Sequence, residues 1–223
     1  DPFGGLMFKN SGFLDTNMFV AAVRSKIAET SSFRSTGFDY SKLVITRSGV
    51  SYEDISASRV IFCEGVRVLS NPWFGEVPVR PLKGETIHIK SDYNKHVIIN
   101  RGVYMVPGSN AGQWRVGSTY HQKDRTETAT AAARLELELK LNDLVSFSYQ
   151  ITSQDWGIRP TTTDRRPILG KHPELEPLYI FNGLGTKGVS LAPYFSEVLL
   201  QWIENPREGL NKEVDVTRFK SLY

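Results

Sequence analysis

Phe181-Asn182-Gly183-Leu184-Gly185-Thr186-Lys187-Gly188-Val189-Ser190-Leu191-Ala192-Pro193 is a glycine-rich turn that runs straight into an amphipathic stretch. Its glycines permit positive φ and let backbone approach backbone or ligand closely. Leu191, Val198, Leu199, Trp202 and Ile203 then fall mainly on one face of a helix that runs through about Trp202. A helix start carries unpaired N–H groups and a partial positive charge. It suits an anion, or an oxygen that gains negative charge during a reaction. The same turn would also serve simply to pack a C-terminal helix on a sheet, and taken alone it does not choose between the two.

Its neighbour in sequence is Gly157-Ile158-Arg159-Pro160-Thr161-Thr162-Thr163-Asp164-Arg165-Arg166-Pro167-Ile168-Leu169-Gly170. Pro160 fixes its own φ and pushes Arg159 into an extended conformation. An arginine held this way can offer two parallel N–H donors to a carboxylate. A structural ion pair with Asp155 or Asp164 is equally open on the residues alone. Tyr104, in an apolar strand-like run, could turn its hydroxyl to a ligand or leave it wet above a packed ring.

Further out, Asp15 and Thr16 are good caps for a helix through about Glu29, with Val20, Val23 and Ile27 as an apolar stripe. Leu43–Thr46 and Val60–Phe62 read as strands joined by a polar turn around Gly49. From Val79 to Thr119 strand follows strand: Thr86–Ile89, Val97–Ile99, Val103–Val106 and Trp114–Gly117. A helix is predicted from Thr126 to about Leu141, then a strand near Phe147–Trp156. Ile168-Leu169 and Leu178–Phe181 bracket a polar turn at Lys171-His172-Pro173. Segregated sheet and helices predict an α+β fold.

Taken in order, these landmarks resemble the C-terminal signature of the D-amino-acid-oxidase-like flavoenzymes, of the glycine oxidase and sarcosine oxidase type. The family pattern is Gly-x-Arg-Pro, Asp-x-x-Pro-x-x-Gly, a strand, and a glycine turn ending in Ala-Pro. Val60-Ile61-Phe62-Cys63-Glu64-Gly65 resembles the strand and glycine near the adenosine end of the flavin. Pro81-Leu82-Lys83-Gly84-Glu85 resembles a family turn. Tyr104-Met105-Val106-Pro107 and Val116-Gly117-Ser118-Thr119 resemble the paired strands over the substrate. The resemblance implies FAD as cofactor and hydride transfer from the C–N carbon of a small carboxylate-bearing amine. It implies an antiparallel or mixed substrate sheet with covering helices, over residues 78–156, beside FAD-domain remainders at residues 1–77 and 157–223. Arg159 and Tyr104 become the substrate contacts. Gly65, Gly183, Gly185, Thr186, Lys187 and Gly188 become the cofactor contacts. Some glycine oxidases carry a second substrate arginine where this chain has Thr186.

No Gly-x-Gly-x-x-Gly loop stands where such enzymes open with one: Phe3-Gly4-Gly5-Leu6 is too short and wrongly spaced, and Gly183-x-Gly185, with its third glycine at Gly188, sits far too near the C-terminus. The expectation is therefore the C-terminal part of a larger flavoenzyme. Two other readings stay open. The glycine turn also resembles the flavin domain of enzymes that finish an aminomethyl modification on transfer-RNA uridine, for which Lys83, Lys90, Lys95 and Arg101 would supply a basic face. Without its pyrophosphate loop, the chain could also be a non-catalytic partner-binding module.

Composition sets outer bounds. The 223 residues, 40% of them hydrophobic, suffice for a buried core. A net charge of +3 does not single out nucleic acid as a partner. The basic run from Arg115 to Arg125 reads as a solvated face diluted by Asp124. The single cysteine, Cys63, cannot form an internal disulfide, so a reducing, cytoplasmic setting is expected, with Cys63 as an inert buried thiol. His88, His96, His121 and His172 show no metal-ligand spacing and read as structural. No apolar run reaches the roughly 20 residues that span a bilayer.

Overall fold

The computed structural model describes residues 4–31 and 33–222; Phe3, which entered the search for a pyrophosphate loop, lies outside them. In chain order the elements are α1 (Thr16–Thr30), β1 (Leu43–Thr46), β2 (Gly49–Tyr52), β3 (Ile55–Ala57), β4 (Val60–Phe62), β5 (Val79–Lys90), β6 (Ile99–Arg101) and β7 (Val103–Pro107). Then come β8 (Gln113–Gly117), α2 (Ala131–Leu144), β9 (Gln150–Thr162), β10 (Ile168–Lys171), β11 (Leu178–Asn182) and α3 (Gly188–Glu204). This is the α+β mixture that the sequence predicts. Contacts divide the chain into two units, one of residues up to 35, 86–118 and 130–155, the other of residues 36–85, 119–129 and 156 onward. The long strands β5 and β9 contribute residues to both.

The first unit is built on the five-stranded sheet of order β6-β7-β8-β5-β9. Residues alternate between its faces, as the pleat requires. Ile87, Ile89, Met105, Trp114 and Val116 bury one face against Leu137 and Leu141 of α2. Ala133, Leu137 and Leu141 recur every four residues and are the buried stripe of that helix. Thr130 caps it, its hydroxyl accepting the Ala133 amide at 3.2 Å. The helix thus begins five residues later than Thr126, because Asp124, Thr126 and Thr128 are used elsewhere. Asp15 caps α1 as expected, but no residue of α1 is buried, and its Val20–Val23–Ile27 stripe is exposed.

The second unit has two small sheets. Strands β1, β2 and β3 form an antiparallel meander. The expected polar turn joining Leu43–Thr46 to Val60–Phe62 is thereby corrected: the intervening Gly49–Tyr52 and Ile55–Ala57 are strands themselves. β4 instead pairs parallel with β11, Val60 opposite Leu178 and Phe62 opposite Ile180, and β10 pairs antiparallel with β11. Phe62, Phe74, Val79, Ile168, Leu178 and Ile180 form the main core. Leu169, Leu199 and Val214 form a second, with Trp202 and Ile203 of α3 against it. His172 is buried in this unit as a neutral imidazole: its Nδ1 accepts the amides of Glu174 and Leu175, both at 3.1 Å, and burial pushes its pKa down.

Candidate active site

Arg159 lies in β9, the edge strand of its sheet, which is where the chain can tolerate Pro160 without a ladder N–H. The half-buried Arg159 guanidinium packs directly over Gly84 in the neighbouring strand β5, where any side chain would collide with it. Its Cζ stands 5.0 Å from the centre of the Tyr120 ring, a cation–π distance. Nη1 donates to the Thr119 carbonyl at 3.4 Å. The alternative partners are engaged elsewhere: Asp155 bonds His88 at 2.7 Å, and Asp164 bonds Arg218 at 3.0 Å.

The segment that supports Arg159 is tied down by a buried lysine. Lys83 has a side-chain exposure of 1%, so it is no part of a basic face, a correction to that expectation. Its Nζ donates to Asp124 Oδ2 at 2.9 Å, Thr126 Oγ1 at 2.7 Å and the Thr128 carbonyl at 2.7 Å, and lies 3.3 Å from Glu85 Oε1. Burial pushes the lysine pKa down, but the bonds to Asp124 and Glu85 outweigh it and the net shift is upward. Bonded to Lys83 and Thr126, the Asp124 carboxyl is held well below the usual carboxylate range. Lys83 and His121 form a backbone bridge, and the Glu85 amide bonds the Thr119 hydroxyl at 2.9 Å. Pro81–Glu85, expected as a turn, is thus the interior of β5, its polar side chains satisfied by the returning segment 119–129.

Beyond Arg159, β9 runs onto the glycines. Gly65, Gly183 and Gly185 have φ of 58°, 72° and 55°, the left-handed region that glycine enters without cost. A Cβ on Gly65 would stand 3.9 Å from Pro160, one on Gly185 3.5 Å from Thr161, and one on Gly183 2.6 Å from Thr162. Three successive residues after Arg159 therefore each face one left-handed glycine. Gly65 and Gly183 come together because they follow the carboxyl ends of the parallel strands β4 and β11, the end of such strands where ligands characteristically bind. Buried Asn182 locks them: its Nδ2 donates to the Gly65 carbonyl at 2.9 Å, and its Oδ1 accepts the Gly183 amide at 2.8 Å. Gly185, Thr186 and Lys187 form a single 3₁₀ turn, and Gly188 opens α3 without a side-chain cap. Thr186 and Lys187 are exposed.

Tyr104 is placed in the sheet unit, opposite Gly117. Its hydroxyl lies 2.9 Å from where a Gly117 Cβ would be, so the ring crosses the missing side chain toward Thr86. It lines a cavity of about 590 Å³ together with His88 and Arg115. His88, read as structural, is therefore a cavity residue, and Arg115, read as part of a solvated face, is half-buried. The period-2 alternation of β5 and β8 was the signal that could have placed both on one face. Cys63 is exposed, not buried as expected; desolvation and Glu64 still push its thiol up. Among the described residues no group of His, Cys, Asp and Glu could hold a metal, and no helix is long and apolar enough to cross a membrane.

An arginine on an edge strand that continues onto left-handed glycines at parallel strand ends is the arrangement the structure shows. The chain belongs to the family of FAD dependent oxidoreductases, whose model matches residues 1–202. It is 28% identical to the glycine oxidase of Bacillus subtilis over 73% of this chain and 44% of the relative. It is 25% identical to the tRNA 5-methylaminomethyl-2-thiouridine biosynthesis bifunctional protein MnmC of Idiomarina loihiensis over 96% of this chain and 38% of the relative. The chain thus spans less than half the length of these two relatives. Among solved structures, the fold is similar to iminodiacetate oxidase from Chelativorans sp. BNC1, with a TM-score of 0.74 at 20% identity over 89% of this chain and 57% of that one.

Proposed function

We propose that this chain supplies the substrate clamp and part of the flavin cradle of an oxidoreductase acting on the C–N bond of a small carboxylate-bearing amine. The observation that carries the reading is the continuity of β9, whose Arg159 is followed by Pro160, Thr161 and Thr162 against Gly65, Gly185 and Gly183. The left-handed glycines leave room for close approach, and the uncapped start of α3 offers N–H groups to negative charge. These residues fit FAD, with Gly65, Gly183, Gly185, Thr186, Lys187 and Gly188 as its contacts. FAD, when bound, would accept a hydride from the C–N carbon and leave an imine for hydrolysis.

Arg159 would hold the carboxylate as a fork and orient the amine. Tyr104, in the sheet unit, is carried into this reading as a substrate contact on the family resemblance alone. In this reading, residues 78–156 supply the substrate sheet and its helix, and residues 157–223 the flavin segment. The test uses the polypeptide encoded by the whole reading frame, purified and scanned for flavin absorbance. It is then mixed without oxygen with glycine, sarcosine or iminodiacetate, and with methylamine as the carboxylate-free comparison. Bleaching of the flavin by the acids and not by methylamine is expected; no flavin, or equal bleaching by methylamine, overturns the reading.

A second reading keeps the flavin and makes the substrate a modified uridine of transfer RNA. It is favoured by the similarity to the bifunctional protein along 96% of the chain. It has lost Lys83 from its basic face, leaving Lys90 and Lys95 exposed and Arg101 bonded to Asp143. Filter binding to transfer RNA discriminates the two.

A further inference from the structure

Glu64 is a half-buried carboxylate that the oxidoreductase reading leaves unused. It is the second residue beyond β4 and immediately precedes Gly65, the glycine with φ of 58° that packs on Pro160. Two donors from separate parts of the second unit converge on it. The Tyr40 hydroxyl donates to Oε1 at 2.6 Å, and Asn71 Nδ2 donates to Oε2 at 2.8 Å. Tyr40 belongs to the turn that leads into β1; burial first, and then Glu64, push its hydroxyl pKa up. Asn71 is buried and its orientation is fixed. Its Oδ1 accepts the amides of Trp73 and Phe74 at 2.9 and 3.0 Å, so Nδ2 is the group that must face Glu64. Gly65 opens a 3₁₀ helix that ends at Ser70, directly before Asn71. Glu64 therefore joins the two ends of that helix: it adjoins Gly65 at one and bonds Asn71 at the other. From the opposite side, Asn182 Nδ2 donates to the Gly65 carbonyl. A carboxylate accepts at both oxygens and donates at neither, so it satisfies both donors at once, and its charge strengthens the bonds.

We propose that Glu64 is a positioning residue for the FAD site: through Tyr40 and Asn71 it holds the backbone of Gly65 in the left-handed conformation that keeps the glycine cradle open. Glycine loses more conformational freedom on being fixed than any other residue. Anchored by Glu64, Gly65 has lost that freedom already in the folded chain; without the anchor the loss falls on cofactor binding and weakens it. Glu64 acts through Gly65 and touches no substrate. The role rests on the FAD reading and deepens it.

The experiment uses the polypeptide encoded by the whole reading frame, stripped of flavin and titrated with FAD by quenching of flavin fluorescence. It is run at a temperature where circular dichroism shows the apoproteins folded, so that a loss of folded protein does not enter the affinity. Glu64→Ala should raise the Kd for FAD roughly tenfold or more, since two hydrogen bonds to a charged group are lost. Glu64→Gln should stay within about threefold of the parent: its oxygen accepts from Asn71, and its amide donates to the Tyr40 hydroxyl, which turns to accept. Tyr40→Phe leaves Glu64 on Asn71 and should raise the Kd roughly threefold or more; it carries the test if Glu64→Ala does not fold. A parental Kd in Glu64→Ala or in Tyr40→Phe, or a Glu64→Gln as impaired as Glu64→Ala, overturns the proposal and leaves the FAD reading standing. A parent that binds no FAD overturns the FAD reading and the proposal with it.

Discussion

The guanidinium of Arg159 occupies the place where a side chain on Gly84 would stand. One strand thus gives up a side chain so that the next can lay a cation across it, with Tyr120 as the second wall. Gly84 has no positive φ, so its glycine identity answers to this packing and not to backbone strain.

Gly84→Ala follows directly. The backbone there accepts alanine, so the added methyl must displace a flexible side-chain end. Stability, read by thermal unfolding, should fall by about 1–3 kcal/mol, the range for an added group in a packed site. The Arg159 side-chain ¹⁵N resonances should move and, on the proposed function, KM for carboxylate-bearing amines should rise in the polypeptide encoded by the whole reading frame. An unmoved Arg159 signal would mean that the guanidinium is not where the structure puts it.

Arg159→Lys keeps the charge and removes the fork. It should raise KM for carboxylate-bearing amines, with a loss of about 1.5–3 kcal/mol, the value of a hydrogen bond to a charged group. Flavin content should stay at the parental level, because no glycine of the cradle is touched. Unchanged steady-state kinetics would reduce Arg159 to a structural role.

Lys83→Met tests the buried network. It removes the ammonium that lies 3.3 Å from Glu85, itself only 2% exposed, and that donates a hydrogen bond to Asp124. Breaking a buried pair from one side costs about 3–5 kcal/mol, to be read from urea unfolding. The pH dependence has a definite sign. The folded Asp124 pKa is depressed, so its contribution is full above the unfolded value of about 4 and is lost as pH falls below it. Asp124→Asn should therefore narrow the stability gap between pH 6 and pH 3; a parental slope in the variant would remove Asp124 from the account.

The glycine turn separates two effects. Gly183→Ala should destabilise the chain more than Gly185→Ala, since both require φ above zero but only at Gly183 does the methyl come within 2.6 Å of Thr162. On the proposed function, Gly185→Val in the polypeptide encoded by the whole reading frame should leave a soluble protein with a lower flavin reduction potential and slower reduction by substrate. A redox titration beside the parent reads this; equal potentials and rates would show that the start of α3 does not face the flavin.

The sequence by itself determined the α+β class and the cap Asp15, because each depends on near neighbours and on local periodicity. It also singled out Arg159 and the glycines, because Gly-Ile-Arg-Pro and the Gly183–Gly188 turn carry their backbone constraints locally. Tertiary structure alone decided that residues 160–162 pack on Gly65, Gly185 and Gly183, since Gly65 lies 118 positions before Gly183 and meets it only through the parallel pairing of β4 with β11. It alone turned Lys83 from a surface charge into a buried anchor: Asp124 and Thr126, which make it soluble inside the fold, lie 41 and 43 residues away in sequence. Burial of a charge depends on partners brought from a distance, and no local pattern announces them.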